Sequence, residues 1–233
     1  MEANPASFLP IQIGLENNGS PVYLSNLGEK ELAEWVLPLR ERVYNRELRW
    51  FFHPVSGSED VRDRYDASSL HLGIVVAGRE LAACARVIIA PGAGELPSGP
   101  YVDEGERITA GPCCEMSRVV AERRYRNCGL FSILLKGTIL AASNAGARRL
   151  YICEAENERS ARYLQAQDFR IIKTGFLFRD GIVEPPYPST LYALELGETT
   201  LGGLSGDLSA EIRRLLDEAA QRLERLQKDG PTA

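Results

Sequence analysis

The chain has 233 residues, 44% hydrophobic and 25% charged, with 27 Lys and Arg against 32 Asp and Glu for a formal net charge of -5. That length supports one substantial core and not two independent ones, and the acidic balance argues against nucleic-acid binding as the main activity. No run reaches the roughly 18 apolar residues of a membrane span and the N-terminus lacks a basic-then-apolar leader pattern, so a cytoplasmic protein without a membrane span is expected. The odd set Cys84, Cys113, Cys114, Cys128 and Cys153 sits in apolar surroundings without metal-ligand spacing. These read as reduced core thiols, and no metal is expected.

Residues 1–20 carry Asn4-Pro5, Pro10 and Asn17-Asn18-Gly19 with little periodicity, and read as a flexible N-terminal arm. A single domain over 21–197 then opens with a strand at Val22-Tyr23-Leu24. In the next segment Leu32, Trp35, Val36, Leu39, Val43 and Leu48 recur at helical spacing, with Pro38 expected to kink or divide the helix. From His53 to Ser69 the chain is polar and Gly-, Ser- and Asp-rich, a long loop of the kind that carries function. Leu70 to Val76 and Leu81 to Ala90, joined at Ala77-Gly78, read as a hairpin of two apolar strands, and 91–112 as a second irregular stretch.

Cys114 to Val120 predicts the central strand, and Leu130 to Ala145 an apolar helix that opens after the basic loop Arg123-Arg124-Tyr125-Arg126-Asn127-Cys128-Gly129. Unpaired amides and the positive dipole end at a helix N-terminus suit a phosphate, and Gly129 lets the main chain approach closely. A strand at 150–153, a helix holding Ser160, Ala161, Tyr163 and Leu164, and strands at 169–173 and 192–196 complete a mixed sheet. A glycine-rich linker then leads to a C-terminal helix within 198–233, whose Leu208, Ile212, Leu215, Ala219, Leu223 and Leu226 form one apolar stripe. That stripe suits packing on its own domain or on a twin subunit in a homodimer.

The stretch Arg126-Asn127-Cys128-Gly129-Leu130-Phe131 after a Val-rich strand resembles the pyrophosphate-binding turn of the GNAT acyltransferase superfamily, Arg/Gln-x-x-Gly-x-Gly/Ala, with Phe131 where a small residue is usual. Asn157 to Tyr163, followed by Asp168-Phe169, is similar to a second GNAT segment, with Asp168 in place of the customary glycine. The resemblance implies a GNAT fold, an α/β domain whose central mixed, mostly antiparallel sheet is flanked by helices. It also implies an acyl thioester donor held by Val120, Arg124, Arg126, Asn127, Cys128, Gly129, Leu130, Asn157 and Tyr163. No cofactor is expected to be tightly bound.

Single charges interrupt the apolar strands at Arg86, Glu115 and Arg118, and buried charge needs a partner. Three residues apart on one strand, Glu115 and Arg118 point to opposite faces unless a bulge intervenes, and GNAT enzymes are bulged at this strand. Arg40, Tyr44, Trp50, Asp63, Asp66, Arg86, Glu115 and Arg118 resemble, in order, the charged and aromatic signature of acyl-homoserine-lactone (autoinducer) synthases, with Tyr44 in place of Phe. Long-chain N-acyl amino acid synthases share much of it, and Tyr65-Asp66-Ala67-Ser68-Ser69-Leu70-His71 looks closer to theirs.

This resemblance implies an N-acyltransferase that moves an acyl group from acyl carrier protein or acyl-CoA to a primary amine, with S-adenosylmethionine or an amino acid as acceptor. Glu115 is the candidate base, with Arg86 and Arg118 beside it. Arg40, Tyr44, Trp50, Asp63 and Asp66 are the candidate acceptor contacts, the two acids for a cationic group and the arginines for a carboxylate. Arg148-Arg149 adds to a basic face around the phosphate turn, suited to coenzyme A or to the acidic surface of acyl carrier protein. A non-catalytic acyl-thioester-binding module is the competing class. His53 and His71 are too isolated for a metal site, and no cysteine has a nucleophile's neighbours.

Overall fold

The computed structural model describes residues 10–15, 21–48, 51–52, 62–78, 80–109, 111–179, 183–184 and 186–197. Trp50, His53 and the C-terminal helix expected within 198–233 lie outside the described residues. Among the described residues ten strands form: β1 Ile11–Leu15, β2 Pro21–Leu27, β3 Phe51–Phe52, β4 Leu70–Val76, β5 Glu80–Ala90, β6 Cys113–Ala121, β7 Arg149–Ala155, β8 Arg170–Phe178, β9 Val183–Glu184 and β10 Tyr187–Glu195. Eight make one sheet in the order β1-β2-β4-β5-β6-β7-β10-β8, and β3 pairs with β9. Every neighbouring pair in the large sheet is antiparallel except β6 and β7. This is the GNAT fold, the mixed and mostly antiparallel sheet expected from the sequence.

Residues 11–15, inside the stretch read as a loose arm, instead form an edge strand against β2, with a register shift between Gln12 and Gly14. The backbone pairing, and not the weak periodicity of Ile11-Gln12-Ile13, decides that outcome.

The first helical run covers 29–47: α1 Glu29–Glu31, a π turn Leu32–Val36, α2 Leu37–Glu41 and a second π turn Arg42–Glu47. Pro38 has no N–H to donate. Its effect is to divide the hydrogen bonding, as expected, because the run widens to π before it, where the Leu37 N–H reaches the Leu32 carbonyl. Leu32, Val36, Leu39 and Val43 are buried, so the helical spacing identified the inward face. Leu48 belongs to the same periodicity but is 46% exposed.

The two faces of the sheet are covered differently. α4, Leu130–Asn144, buries Ile133, Leu134, Leu135, Ile139 and Ala142 against Leu24, Leu72, Ile74, Val87, Met116 and Ile152. The helix is apolar almost all round, as an element enclosed by a sheet and its flanking chain must be. Gly137 lets it settle close: a Cβ there would stand 2.8 Å from Leu24 Cδ2 and 3.3 Å from Leu72 Cδ1. α5, Glu158–Gln165, covers the same face through Leu164. On the other face the first helical run packs over Leu27, Val75, Leu81, Cys84 and Val120. The irregular chain from 91 to 112, which includes α3 Glu104–Thr109, packs over Ile88, Ala90, Cys113 and Tyr151.

Between these two apolar clusters lies a layer of charge. Along β5 the inward residues on this face read Cys84, Arg86, Ile88, the arginine standing between one cluster and the next. The five cysteines are free, four of them buried, as the composition suggested. Replacing Gly137 by Val should lower stability by about 1–3 kcal/mol through overpacking against Leu24 and Leu72. Urea unfolding would register this as a fall in midpoint, and an unchanged midpoint would contradict the close approach of α4.

Candidate active site

The site is built on an irregularity in β6. Across the β5–β6 ladder Arg86 pairs with Ser117 and Cys84 with Val120, so β6 spends one extra residue opposite Ala85. Arg118 takes that slack with a φ of 53°, a left-handed conformation that a non-glycine residue adopts at some cost. The bulge turns Arg118 onto the face that already holds Glu115, as the sequence required if both were to serve one site.

Five charged groups then close on one another. Asp63 accepts from Arg118 Nη2 at 2.9 Å and Nε at 3.3 Å through Oδ2, and from Arg86 Nη1 through Oδ1. Asp66 accepts from Arg40 Nη1 at 2.8 Å and from Arg86 Nη1 at 3.3 Å. The Asp63 amide donates to Asp66 Oδ2 at 2.9 Å, so the tight turn at 63–66 supplies both acids in fixed register. Arg86 Nε donates to Ser117 Oγ at 3.1 Å. His71 lies within 3.0 Å of the Asp66 carbonyl through Nε2 and 3.4 Å of Arg40 Nη2 through Nδ1, a satisfied core histidine.

Burial alone would raise both aspartates, but the guanidiniums outweigh it. Arg86 and Arg118 hold Asp63 well below the ordinary carboxylate range, and Arg40 and Arg86 lower Asp66. Burial lowers His71, keeping it neutral. Among these five groups three guanidiniums face two carboxylates, which leaves one positive charge in excess. The sequence reading makes these two acids acceptor contacts, while the structure closes them against arginines. Both are engaged by arginines and buried, and neither lines the cleft; Arg40 is fully buried beside them.

Glu115 stands next to this layer, 1% exposed. Its Oε2 accepts from the Ser98 amide at 2.9 Å and from Ser98 Oγ at 2.6 Å. Burial raises its carboxyl above the ordinary value despite those donors and the nearby Arg86 and Arg118. A buried carboxylate raised in this way is matched to proton transfer closer to neutrality. Ser98 carries no recognisable signal in the sequence, because it lies in an irregular stretch where only folding brings it under β6.

Beyond Met116 and Ile152 the parallel pairing of β6 and β7 ends. A cleft of about 410 Å³ occupies the splay, lined by Glu115, Met116, Ser117, Arg118 and Val119 from one strand and by 152–155 of the other with Glu156 and Asn157 beyond it. Arg86, Tyr44, Pro97, Phe131, Phe178 and Tyr187 complete much of its wall. Burial pushes the Tyr44 hydroxyl up, so it meets the cleft as a neutral phenol.

At the α4 end of the cleft lies the predicted phosphate turn. Asn127 has φ 62° and Gly129 φ 77°, and a Cβ on Gly129 would touch nothing within 4 Å. The glycine is therefore required by its backbone conformation, and the space beside it is open. Leu130 begins α4. Arg126 donates from Nε to the Ala121 carbonyl at 3.0 Å and pairs with Glu47, and exposed Arg124 pairs with Glu80. Asn127 accepts from Arg159, and buried Cys128 donates to the Arg126 carbonyl at 3.4 Å. Asn157 lines the cleft but also caps α5, its Oδ1 accepting from the amides of Arg159 and Ser160. Tyr163 meets Phe131 edge to face at 5.6 Å, so the bulky residue that departs from the motif gains a packing partner.

One expectation fails. Arg148 and Arg149 follow the C-terminal end of α4, whose 15 residues separate them from the turn by about 20 Å at roughly 1.5 Å per residue. Arg149 is instead held by Glu106 and Glu195, so the pair does not belong to a basic face around the phosphate turn.

Residues 40–169, more than half the chain, match the Acetyltransferase (GNAT) family. The chain belongs to the GNAT acetyltransferase family and is an acyltransferase. Comparison with curated proteins gives no significant match. Among solved structures it is similar to FeeM, an N-acyl amino acid synthase from uncultured soil microbes, at TM-score 0.56 and 17% identity over 77% of this chain and 93% of that one. It is also similar to the Drosophila melanogaster polyamine N-acetyltransferase, at TM-score 0.55 and 15% identity over 75% and 100%. A third likeness is to TofI, at 0.52 and 19% over 80% and 96%. Among the described residues no group of side chains is arranged to hold a metal, and no helix is long and apolar enough to cross a membrane.

Removing one partner of a buried pair leaves the other charge uncompensated, so Asp63→Asn should cost about 3–5 kcal/mol at neutral pH. Because the folded state lowers the Asp63 pKa, its contribution is complete above the unfolded value near 3.8 and is lost as pH falls below it. The stability difference between wild type and variant, followed by chemical denaturation, should therefore shrink from about pH 4 downward. A difference that did not change with pH would contradict the paired geometry.

Proposed function

We propose that the protein moves an acyl group from a pantetheine thioester, acyl-CoA or acyl-acyl-carrier-protein, to the primary amine of a small acceptor that also carries a carboxylate. The observation that carries this reading is the bulge in β6, which brings a raised carboxyl, Glu115, and a guanidinium, Arg118, into the wall of one cleft. An ammonium must lose a proton before it can attack a thioester, and Glu115 accepts that proton. The excess positive charge of the arginine and aspartate layer favours an anionic group on the acceptor, with Arg118 and Arg86 at the cleft. Tyr44 packs beside it. The turn from Arg126 to Leu130 holds the donor's phosphates through main-chain amides, with Arg124 beside it and Asn157 at the cleft. Val120 and Tyr163, also expected to touch the donor, are instead packed in apolar clusters and do not line the cleft. Arg148 and Arg149, at the far end of α4, are not part of the donor's phosphate site.

S-adenosylmethionine is the first acceptor to consider, because the order of charged and aromatic residues from Arg40 to Arg118 resembles the autoinducer synthases. An amino acid is the second, and one observation favours it: Asp63 and Asp66 are closed against arginines and do not open on the cleft, where a sulfonium would need them. Two similar structures bear on the choice: TofI was solved in a ternary complex with an inhibitor and MTA, and FeeM is an N-acyl amino acid synthase.

Mass spectrometry of products formed from an acyl thioester with S-adenosylmethionine, beside a panel of amino acids, tests the proposal. The first reading expects an acyl-homoserine lactone together with methylthioadenosine. Acylated amino acids without methylthioadenosine would select the second reading. Acylation of simple amines with no preference for a carboxylate would contradict the acceptor proposed here.

A further inference from the structure

Glu154 is not used by the chemistry above, and its position on β7 asks for a role. It lines the cleft two residues past the point where β7 leaves β6. Its Oε2 is shut off from solvent and has no hydrogen-bond partner, although Ser160 of α5 donates to the carboxyl. A buried acid oxygen without a partner is costly in a folded protein unless it is neutral or is completed by a ligand.

The face of the sheet decides what that ligand would be. Side chains alternate along a strand, and Ile152 belongs to the cluster under α4 whereas Tyr151 belongs to the opposite one. Glu154 is in phase with Ile152, which agrees with its donor being on α5. Glu115 pairs with Tyr151 and Ile88, both on the opposite face. The two carboxyls thus stand on opposite sides of the sheet across one splay, Glu115 beside the arginine layer and Glu154 beside the phosphate turn and α5.

From this we infer that Glu154 is the acid that protonates the departing thiolate of the donor, a pantetheine sulfur. The inference rests on the acyl-transfer reading above and adds to it the fate of the leaving group. The ammonium first gives one proton to Glu115, which passes it to solvent; the amine nitrogen then bonds to the thioester carbon and its surplus proton goes to the re-ionised Glu115. The tetrahedral intermediate then collapses, the carbon–sulfur bond breaks with its electron pair going to sulfur, and the Glu154 carboxyl proton moves to that sulfur. The products are an amide and a free thiol. As they leave, solvent takes the proton from Glu115 and restores one to Glu154, so no further reactant is consumed.

Supporting chemistry surrounds the group. Burial pushes the Glu154 carboxyl above its ordinary value, only partly offset by Ser160, which favours the protonated form that a donor requires. The titratable groups facing this region are Tyr192 on β10 and Glu156 after β7, and Tyr192 senses both carboxyls. Neither is a cation that would hold Glu154 ionised. Tyr163, the other acidic hydroxyl on this side, is packed edge to face on Phe131 and does not line the cleft.

Leaving-group acidity separates this role from a structural one. With an alkyl thioester, whose thiolate needs a proton, Glu154→Gln should reduce kcat by on the order of 100-fold, the lower end of what a positioned acid supplies. With an aryl thioester of the same acyl group, whose thiolate leaves unaided, the variant should run within a few-fold of wild type. An equal fall with both donors, or no fall with the alkyl donor, would overturn the inference. Should the variant not fold, the wild type alone decides: a rate nearly independent of thiol acidity supports the inference, and a steep dependence overturns it. A wild type that acylates no amine from either donor contradicts the acyl-transfer reading, and this inference with it.

Discussion

The hydrogen-bonded grip of Arg86 and Arg118 on Asp63 is the interaction on which the rest of the molecule depends. Each of these charges would cost several kcal/mol to bury alone, and each is almost fully buried. Asp66 extends the grip to Arg40 on α2, and His71 on β4 closes its remaining side. One network therefore ties the first helical run, the 62–69 loop and strands β4, β5 and β6 into a single rigid wall. Without the bulge Arg118 would point to the α4 face, Asp63 would lose one of its two guanidinium partners, and Glu115 would keep only Arg86 as a nearby cation. The left-handed Arg118 is the local strain that this arrangement carries.

The same wall separates two approaches to the cleft. α4 and α5 with the phosphate turn occupy one face of the sheet, where a pantetheine arm can reach the splay from the amides around Gly129. The arginine and aspartate layer, with Tyr44 and Glu115, occupies the other. Approaches from two sides let the amine and the thioester be held independently at one carbonyl. After Met116 and Ile152 the backbone groups of both strands are turned toward the gap instead of toward each other.

Much of this was legible in the sequence, and the reasons differ by residue. Ile133, Leu134 and Ile139 announced α4 through unbroken apolarity, and Arg86, Glu115 and Arg118 announced themselves by interrupting apolar strands where charge is expensive. The bulge followed from requiring Glu115 and Arg118 to share a face. The turn at Gly129 was readable from residue types, because only glycine adopts that φ without cost. What was not legible depended on long-range packing. Asp63 and Asp66 could be placed in the site, but nothing in their spacing said that arginines would saturate them. Ser98 and Glu154 gain meaning only from the elements folded over them. Arg148 and Arg149 were misplaced although the expected helix, followed through at roughly 1.5 Å per residue, already put them at its far end, and the edge strand at 11–15 is fixed by a backbone ladder that weak patterning does not reveal.

The account stands on Glu115 acting as the base, and the pH dependence of kcat/KM in the wild type and in Glu115→Gln tests that most directly. Burial holds the Glu115 carboxyl above its ordinary range, so the wild type should lose activity on the acid side along a limb whose midpoint lies above that of an unperturbed glutamate near 4.3. In Glu115→Gln the rate should fall by about 100-fold or more and that limb should vanish, while acyl-thioester binding is retained. A variant that kept both the wild-type rate and the acid limb would contradict the account.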